Sequence, residues 1–280
     1  MTVSMIAKPG GLTAAHLAQV PGPVTWLSDG EAALVDGVLP PGVRGALGPE
    51  GVDVNALPGG PRARRVLLAD MDSTMIQQEC IDEMAAHFGI GEAVAEITAR
   101  AMDGQLDFEA ALNARVALLE GLPLAALETV FEERIRFTPG GATLLATMKA
   151  RGAYAALVSG GFTYFTGRVA AALGFDESRA NVLLHADGAL TGAVAKPVLG
   201  QEAKVTALEE ITARRGLTPA DVLAVGDGAN DLAMLGRAGL GVALHAKPSV
   251  QVRCDVRVNH GDLTALLFLQ GIPRAAFITP

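Results

Sequence analysis

The run Val66-Leu67-Leu68-Ala69-Asp70-Met71-Asp72-Ser73-Thr74 decides how this chain is read. Four apolar residues between polar neighbours suit a short strand buried on both faces, and the strand ends on an acid. Three further runs repeat the pattern. Residues 154–158 end in Ser159-Gly160-Gly161, residues 222–225 end in Gly226-Asp227, and residues 241–244 make a fourth strand. Helical periodicity fills intervals between them, at 142–150, 165–173 and 202–214. Strands alternating with helices predict an α/β fold, a Rossmann-like parallel sheet covered on both faces. Residues 181–195 predict a β-hairpin turning at Asp187-Gly188.

One stretch breaks the alternation. Between Ser73 and Phe137 the pattern is helical throughout, which predicts a cap over about 75–137, inserted after the first core strand above the carboxyl edge of the sheet. The first 60 residues differ again, with a strand at 3–7, a helix at 12–20 and a hairpin-like pair at 24–27 and 33–38 around Asp29-Gly30. The cluster Leu57-Pro58-Gly59-Gly60-Pro61 marks a boundary. The expected organisation is a small N-terminal α+β appendage over 1–60, too short for a sizeable core, then one domain over 61–280. No motif falls in the appendage, so chemistry is expected to survive without it.

Composition narrows the function. The 280 residues carry 22 Lys and Arg against 30 Asp and Glu, a net charge of −8, which argues against a nucleic-acid surface. Half are hydrophobic but only 4% aromatic, so the core is made largely of Ala, Leu and Val. No apolar run approaches the roughly 20 residues that cross a bilayer, and no secretory signal pattern opens the chain. Cys80 and Cys254 are too few for a disulfide framework or a thiolate metal site. The expectation is a cytoplasmic protein acting on a small molecule, with no nucleic-acid or membrane partner. The oligomeric state is left open.

In open α/β sheets ligands bind beyond the carboxyl ends of the strands, so Asp70, Ser159 and Asp227 are expected to converge. Asp70 and Asp72 can face one cavity if the chain curls after the strand. Such a pair holds a hard cation such as Mg²⁺, or divides into a nucleophile and a general acid/base. The loop Gly226-Asp227-Gly228-Ala229-Asn230-Asp231 adds two more acids. Without a cation these carboxylates repel one another and any phosphate, and Lys204 is the candidate for the positive charge a phosphate would need. Ser159-Gly160-Gly161 offers a hydroxyl and backbone N–H groups to phosphate oxygens. Singly, each has a plainer reading: a strand-end Asp caps a turn, and Lys204 is a surface lysine.

Arg115 follows Phe108 by seven residues and Leu112 by three, on a helical stripe that continues to Leu119. A charge there needs a substrate carboxylate or a cap glutamate as partner, or a side chain that snorkels to water. His87, His185, His245 and His260 share no metal-ligand spacing, and Cys80 reads as core.

In order along the chain, Asp70-Met71-Asp72-Ser73-Thr74, Ser159, Lys204 and Gly226-Asp227-Gly228-Ala229-Asn230-Asp231 resemble the four motifs of the haloacid dehalogenase superfamily. Within it the chain is most similar to phosphoserine phosphatases. That narrower likeness rests on Asp72-Ser73-Thr74 with Glu79 and Ile81-Asp82-Glu83, Phe108-Glu109 with Arg115-Val116, Val158-Ser159-Gly160-Gly161-Phe162, and the run from Val225 to Asp231. The resemblance spans about residue 66 to the C-terminus.

It implies Mg²⁺-dependent hydrolysis of L-phosphoserine through an aspartyl-phosphate, the last step of serine biosynthesis. Asp70 would be the nucleophile and Asp72 the acid/base. Mg²⁺ would be held by the Asp70 carboxylate, the Asp72 backbone carbonyl and Asp227, with Asp231 supporting the site and orienting Lys204. Ser159, Gly160 and Lys204 would bind phosphoryl oxygens, with Asn230 nearby. Glu79 and Arg115 would meet the ammonium and carboxylate of the substrate. For residues 1–60 it implies a reduced form of the regulatory-type domain found in many bacterial relatives. Two alternatives stand beside this reading. One is a phosphotransferase to another alcohol such as homoserine. The other is a non-catalytic phospho-ligand sensor, against which the presence of both Asp70 and Asp72 counts.

Overall fold

A computed structural model describes residues 1–102 and 105–280, the side chain of Met102 excepted; positions 103 and 104, inside the expected cap, lie outside the described residues. The N-terminal segment forms an antiparallel sheet ordered β2-β3-β1-β4, from β1 (Thr2–Ala7), β2 (Val24–Ser28), β3 (Ala32–Asp36) and β4 (Val52–Leu57). The helix expected at 12–20 is a single turn, Ala14–Leu17. Strand β4 and the helix Val43–Leu47 are absent from the reading of the sequence. Asp53 and Asn55 disguise β4, since both residue types are depleted in strands.

Their side chains have a specific use. Asp53 accepts the backbone N–H groups of Asn259 (2.8 Å), His260 (2.9 Å) and Gly261 (3.3 Å), and Asn55 exchanges two bonds with the backbone of Arg257. Val52 and Val54 point the other way, into a cluster with Val3, Met5, Val35 and Leu47. The segment therefore has an apolar core of its own, contrary to the expectation from its length. It also seals the edge of the second sheet.

That second sheet is parallel and six-stranded. In chain order it contains β5 (Val66–Ala69), β6 (Tyr154–Phe162) and β7 (Glu177–Asn181), and a separate hairpin follows of β8 (Leu183–Ala186) and β9 (Ala189–Val194). It ends with β10 (Val222–Gly226), β11 (Leu240–Leu244) and β12 (Val256–Val258), in the spatial order β12-β11-β10-β5-β6-β7. Alternate residues of the same strands feed two cores. Leu67, Ala69, Leu157, Leu223 and Val225 face one side, while Val66, Leu68, Ala156, Val158, Val222 and Ala224 face the other. Helices Gly141–Ala150 and Thr163–Leu173 cover the first face, and Gln201–Arg214 covers the second. The fold is α/β, as the alternation of strands and helices predicts. The two edge strands were not anticipated: β7 is polar in sequence (Glu-Ser-Arg-Ala-Asn) and β12 is only three residues long.

Between β5 and β6 the chain rises into a cap whose described residues form the helices Cys80–His87, Gly91–Met102, Phe108–Ala117 and Leu124–Arg134. The β8–β9 hairpin turns at Asp187 (φ 51°) and Gly188 (φ 80°) and grips the cap. Gly121 N–H donates to the Leu190 carbonyl and Leu190 N–H to the Leu122 carbonyl, both at 2.8 Å. No described helix is long and apolar enough to cross a membrane.

Candidate active site

β5 is the middle of the site because β10 and β6 flank it in parallel, so the three carboxyl ends lie side by side. Asp70 leaves β5 in an extended conformation. Asp72 is extended again (φ −64°, ψ 138°), and Ser73 then enters the left-handed region (φ 52°). That conformation costs a non-glycine residue about 1–2 kcal/mol and is typical of functional turns. Ser73 Oγ donates to Glu79 Oε1 at 2.7 Å, which ties the turn to the cap. The curl brings Asp70 and Asp72 to one cavity.

The cavity measures about 390 Å³ and is lined by Asp70, Asp72, Glu79, Arg115, Ser159, Gly160, Asp227 and Asn230, all anticipated from the sequence. Lys204 and Asp231 stand behind this wall. Lys204 is 1% exposed, and its Nζ lies 2.7 Å from Asp70 Oδ1 and 2.6 Å from Asp231 Oδ1. The surface-lysine reading is thereby excluded. Burial alone would lower the Lys204 pKa, but the charges of Asp70 and Asp231 outweigh it and raise it.

The acids are shifted the other way. Burial pushes the Asp70 carboxyl well up, and Asp231 and Asp72 add to that against the pull of Lys204. Burial likewise raises Asp72, although its Oδ1 accepts Cys80 N–H at 2.8 Å and its Oδ2 accepts from Ser159 Oγ at 3.1 Å. Asp227 rises to about 6, through burial first and Asp231 second. Glu79, on the solvent side of the cavity, rises to about 7 through desolvation and then the charge of Asp72.

Carboxylate oxygens of Asp70, Asp227 and Asp231 lie within 4.8 Å of one another. Such a set of oxygen donors fits a hard divalent cation. Asp231 is already engaged, with Oδ1 on Lys204 and Oδ2 accepting Gly228 N–H at 3.0 Å, which leaves Asp70 and Asp227 the freer pair. Gly161 allows this packing. A Cβ there would sit 2.7 Å from Asp72 Oδ2 and would push the Asp72 carboxylate out of its place.

The cap closes the cavity through Phe108, Leu112 and Arg115 on one helix face. The stripe read from the sequence thus looks into the cavity at Phe108 and Arg115 and into the core at Leu119. Half-buried Arg115 feels Asp82 and Glu79 only through space, and desolvation lowers its pKa.

Residues 67–236 match the family model of the haloacid dehalogenase-like hydrolase. A solved phosphoserine phosphatase, described as a phospho-aspartyl intermediate analogue, is 40% identical, with a TM-score of 0.68 over 74% of this chain and 98% of that one. The chain belongs to the phosphoserine phosphatase family of haloacid dehalogenase-like hydrolases. A curated phosphoserine phosphatase of Streptomyces coelicolor is 44% identical over 246 residues, 86% of this chain. The chain spans 60% of that relative's length. A haloacid dehalogenase family hydrolase from Salmonella enterica serovar Typhi superposes with a TM-score of 0.86 at 30% identity, over 96% of this chain and 97% of that one. The N-terminal sheet therefore has a structural counterpart.

In this member of the family several site groups escaped the reading of the sequence. Thr74 Oγ1 donates to Asp227 Oδ1 at 3.2 Å, the Cys80 backbone N–H holds Asp72, and Lys247 lines the cavity. Lys247 follows the end of β11, so the strand-end rule applied to that strand would have found it. The Cys80 thiol is buried with its pKa raised, first by desolvation and then by Asp72, which suits core and not nucleophile.

Proposed function

We propose that this chain hydrolyses L-phosphoserine to L-serine and phosphate through an aspartyl-phosphate on Asp70. The observation that carries the reading is one cavity holding two kinds of wall. The sheet side presents Asp70, Asp72, Ser159 and Asp227, and the cap side presents Arg115 and Glu79. A phosphate ester needs the first set, and an amino-acid end needs the second. The phospho-aspartyl analogue of the solved relative supports the covalent step.

An Asp70 carboxylate oxygen attacks phosphorus and the bond from phosphorus to the serine oxygen breaks. Asp72, whose raised pKa suits a proton carrier, gives its proton to the departing oxygen. Water then attacks the aspartyl-phosphate, Asp72 takes its proton, and the bond to Asp70 breaks to release phosphate. The Ser159 loop faces the charge that gathers on the phosphoryl oxygens, and Lys204 adds its positive charge from behind Asp70. Asp70, Asp227 and the Asp72 backbone carbonyl would hold a Mg²⁺, which when bound would offset the negative charge of acids and phosphate and keep Asp70 ionised. Two buried, unbridged cysteines support a reducing, cytoplasmic setting.

A panel of phosphate esters assayed with Mg²⁺ and with EDTA tests the reading. Phosphoserine is expected to be preferred, with release of phosphate abolished by EDTA. Transfer of phosphate to an added alcohol in place of water would favour a phosphotransferase, and binding without release would favour a sensor.

Arg115→Ala tests the cap. Loss of a charge-assisted pair to the substrate carboxylate is expected to lower kcat/KM for phosphoserine about 10- to 150-fold. Phenyl phosphate, with no carboxylate, should be hydrolysed nearly as before. Equal losses on both substrates would assign Arg115 to the phosphate or to the cap's own packing.

A further inference from the structure

Strands β6 and β7 pair at Val158 with Arg179 and next at Phe162 with Asn181, so 159–161 on β6 oppose a single residue, Ala180, on β7. Ser159, Gly160 and Gly161 leave the ladder here, at the cavity wall. A carbonyl freed from a ladder must find another donor. The Gly160 carbonyl finds Asn181, whose Nδ2 donates to it at 2.8 Å. The same Nδ2 donates to the Leu199 carbonyl at 3.2 Å, and Oδ1 accepts Leu199 N–H at 2.8 Å. Asn181 is 2% exposed, and both its donors are used.

The consequences run in two directions. A trans peptide is planar, so fixing the Gly160 carbonyl fixes the Gly161 N–H on the opposite side. That N–H donates to Ser159 Oγ at 2.8 Å, and Ser159 Oγ donates to Asp72 Oδ2 at 3.1 Å. In the other direction, Leu199 and Gly200 lead directly into helix Gln201–Arg214, whose first turn carries Lys204.

We infer that Asn181 is a positioning residue, one buried amide that holds the Ser159 loop and the start of the Lys204 helix in register and so sets both sides of the phosphoryl pocket. This rests on the proposed reading of those two elements as phosphate-binding. Only an amide serves the position. A carboxylate would face two carbonyl oxygens with no proton to give, and an apolar side chain would leave three backbone groups of Gly160 and Leu199 without this partner.

Asn55 supplies a matched control at the opposite edge of the sheet. It is fully buried and makes the same kind of exchange, Nδ2 to the Arg257 carbonyl at 2.8 Å and Oδ1 from Arg257 N–H at 2.9 Å. Asn181→Ala and Asn55→Ala are compared in the full chain with Mg²⁺ present. Inorganic phosphate is titrated by calorimetry, with kcat for phosphoserine and thermal midpoint measured alongside. Both variants are expected to melt earlier than wild type. Asn181→Ala alone should bind phosphate about tenfold more weakly and turn over about tenfold more slowly, the size of one lost hydrogen bond to a charged group.

Wild-type phosphate affinity in Asn181→Ala overturns the inference. So does an equal weakening in Asn55→Ala, because affinity would then follow stability alone. If the alanine variant does not fold, Asn181→Asp keeps shape and acceptor while removing the donor, and the same expectation applies. A wild-type protein that does not hydrolyse phosphoserine refutes the proposed function, while the phosphate titration still decides Asn181. A wild-type protein that binds no phosphate overturns the inference, and its turnover of phosphoserine then decides the proposed function separately.

Discussion

Asp70→Asn is expected to give a folded protein with turnover reduced by at least about 10⁴-fold, the scale seen when a covalent nucleophile is removed. The amide keeps the shape of the carboxylate but carries no charge with which to attack phosphorus. The fold should tolerate the change. Asp70 sits among Asp231 and Asp72, and burial already opposes its ionised form. Its ion-pair partner among the described residues, Lys204, retains Asp231 at 2.6 Å. The thermal midpoint should therefore stay near that of the wild type. Rapid quench with phosphate-labelled phosphoserine should trap label on the wild-type protein and none on the variant. Label trapped on the variant, or turnover equal to wild type, would remove Asp70 from the covalent step.

The site was more legible in the sequence than the fold around it, for a physical reason. Val66–Ala69 and Val222–Gly226 lie in the middle of a sheet covered on both faces, so every residue is apolar and the first polar residue marks the strand end. In this fold strand ends are also where ligands bind, so finding the strands located Asp70 and Asp227. Edge and joint strands give no such signal. Strand β7 reads Glu-Ser-Arg-Ala-Asn because one side meets no further strand, and β4 carries Asp53 and Asn55 because they bond a neighbouring sheet. Asn181 was hidden twice over. It ends one of those polar strands, and its work is done on backbone groups 18 and 21 residues away in sequence. Arg115 stood out because a charge interrupted an apolar stripe. Glu79 lay among Asp82 and Glu83, and its link to Ser73 depends on a left-handed turn that no local pattern announces.

Lys204→Met should be the most damaging single change to activity and stability together. The ammonium is 1% exposed and bridges two carboxylates that are themselves 5% and 0% exposed. Methionine fills similar volume but leaves Asp70 and Asp231 facing each other without a counter-charge. Breaking one partner out of a buried ion group costs about 3–5 kcal/mol, which lowers the thermal midpoint by roughly 6–20 °C in a chain of this size. The sign of the pH dependence follows. Burial and its acidic neighbours already hold the Asp70 carboxyl above its unfolded pKa, and without Lys204 the opposing pull is gone, so the penalty is full above the folded pKa. It shrinks as protonation relieves it on the way down to the unfolded pKa of about 4. The melting deficit relative to wild type should therefore narrow as pH falls from 8 to about 5. Adding Asp231→Asn should restore much of the lost stability by removing one of the two charges, a coupling that a double-mutant cycle measures directly. Activity should not return with it. The phosphoryl oxygens would still lack the positive charge that Lys204 places beside Asp70, a loss of about 10²–10³-fold in kcat. Recovery of turnover together with stability in the double variant would show that Lys204 serves only to neutralise Asp231, and that the charge offered to the phosphate comes from elsewhere.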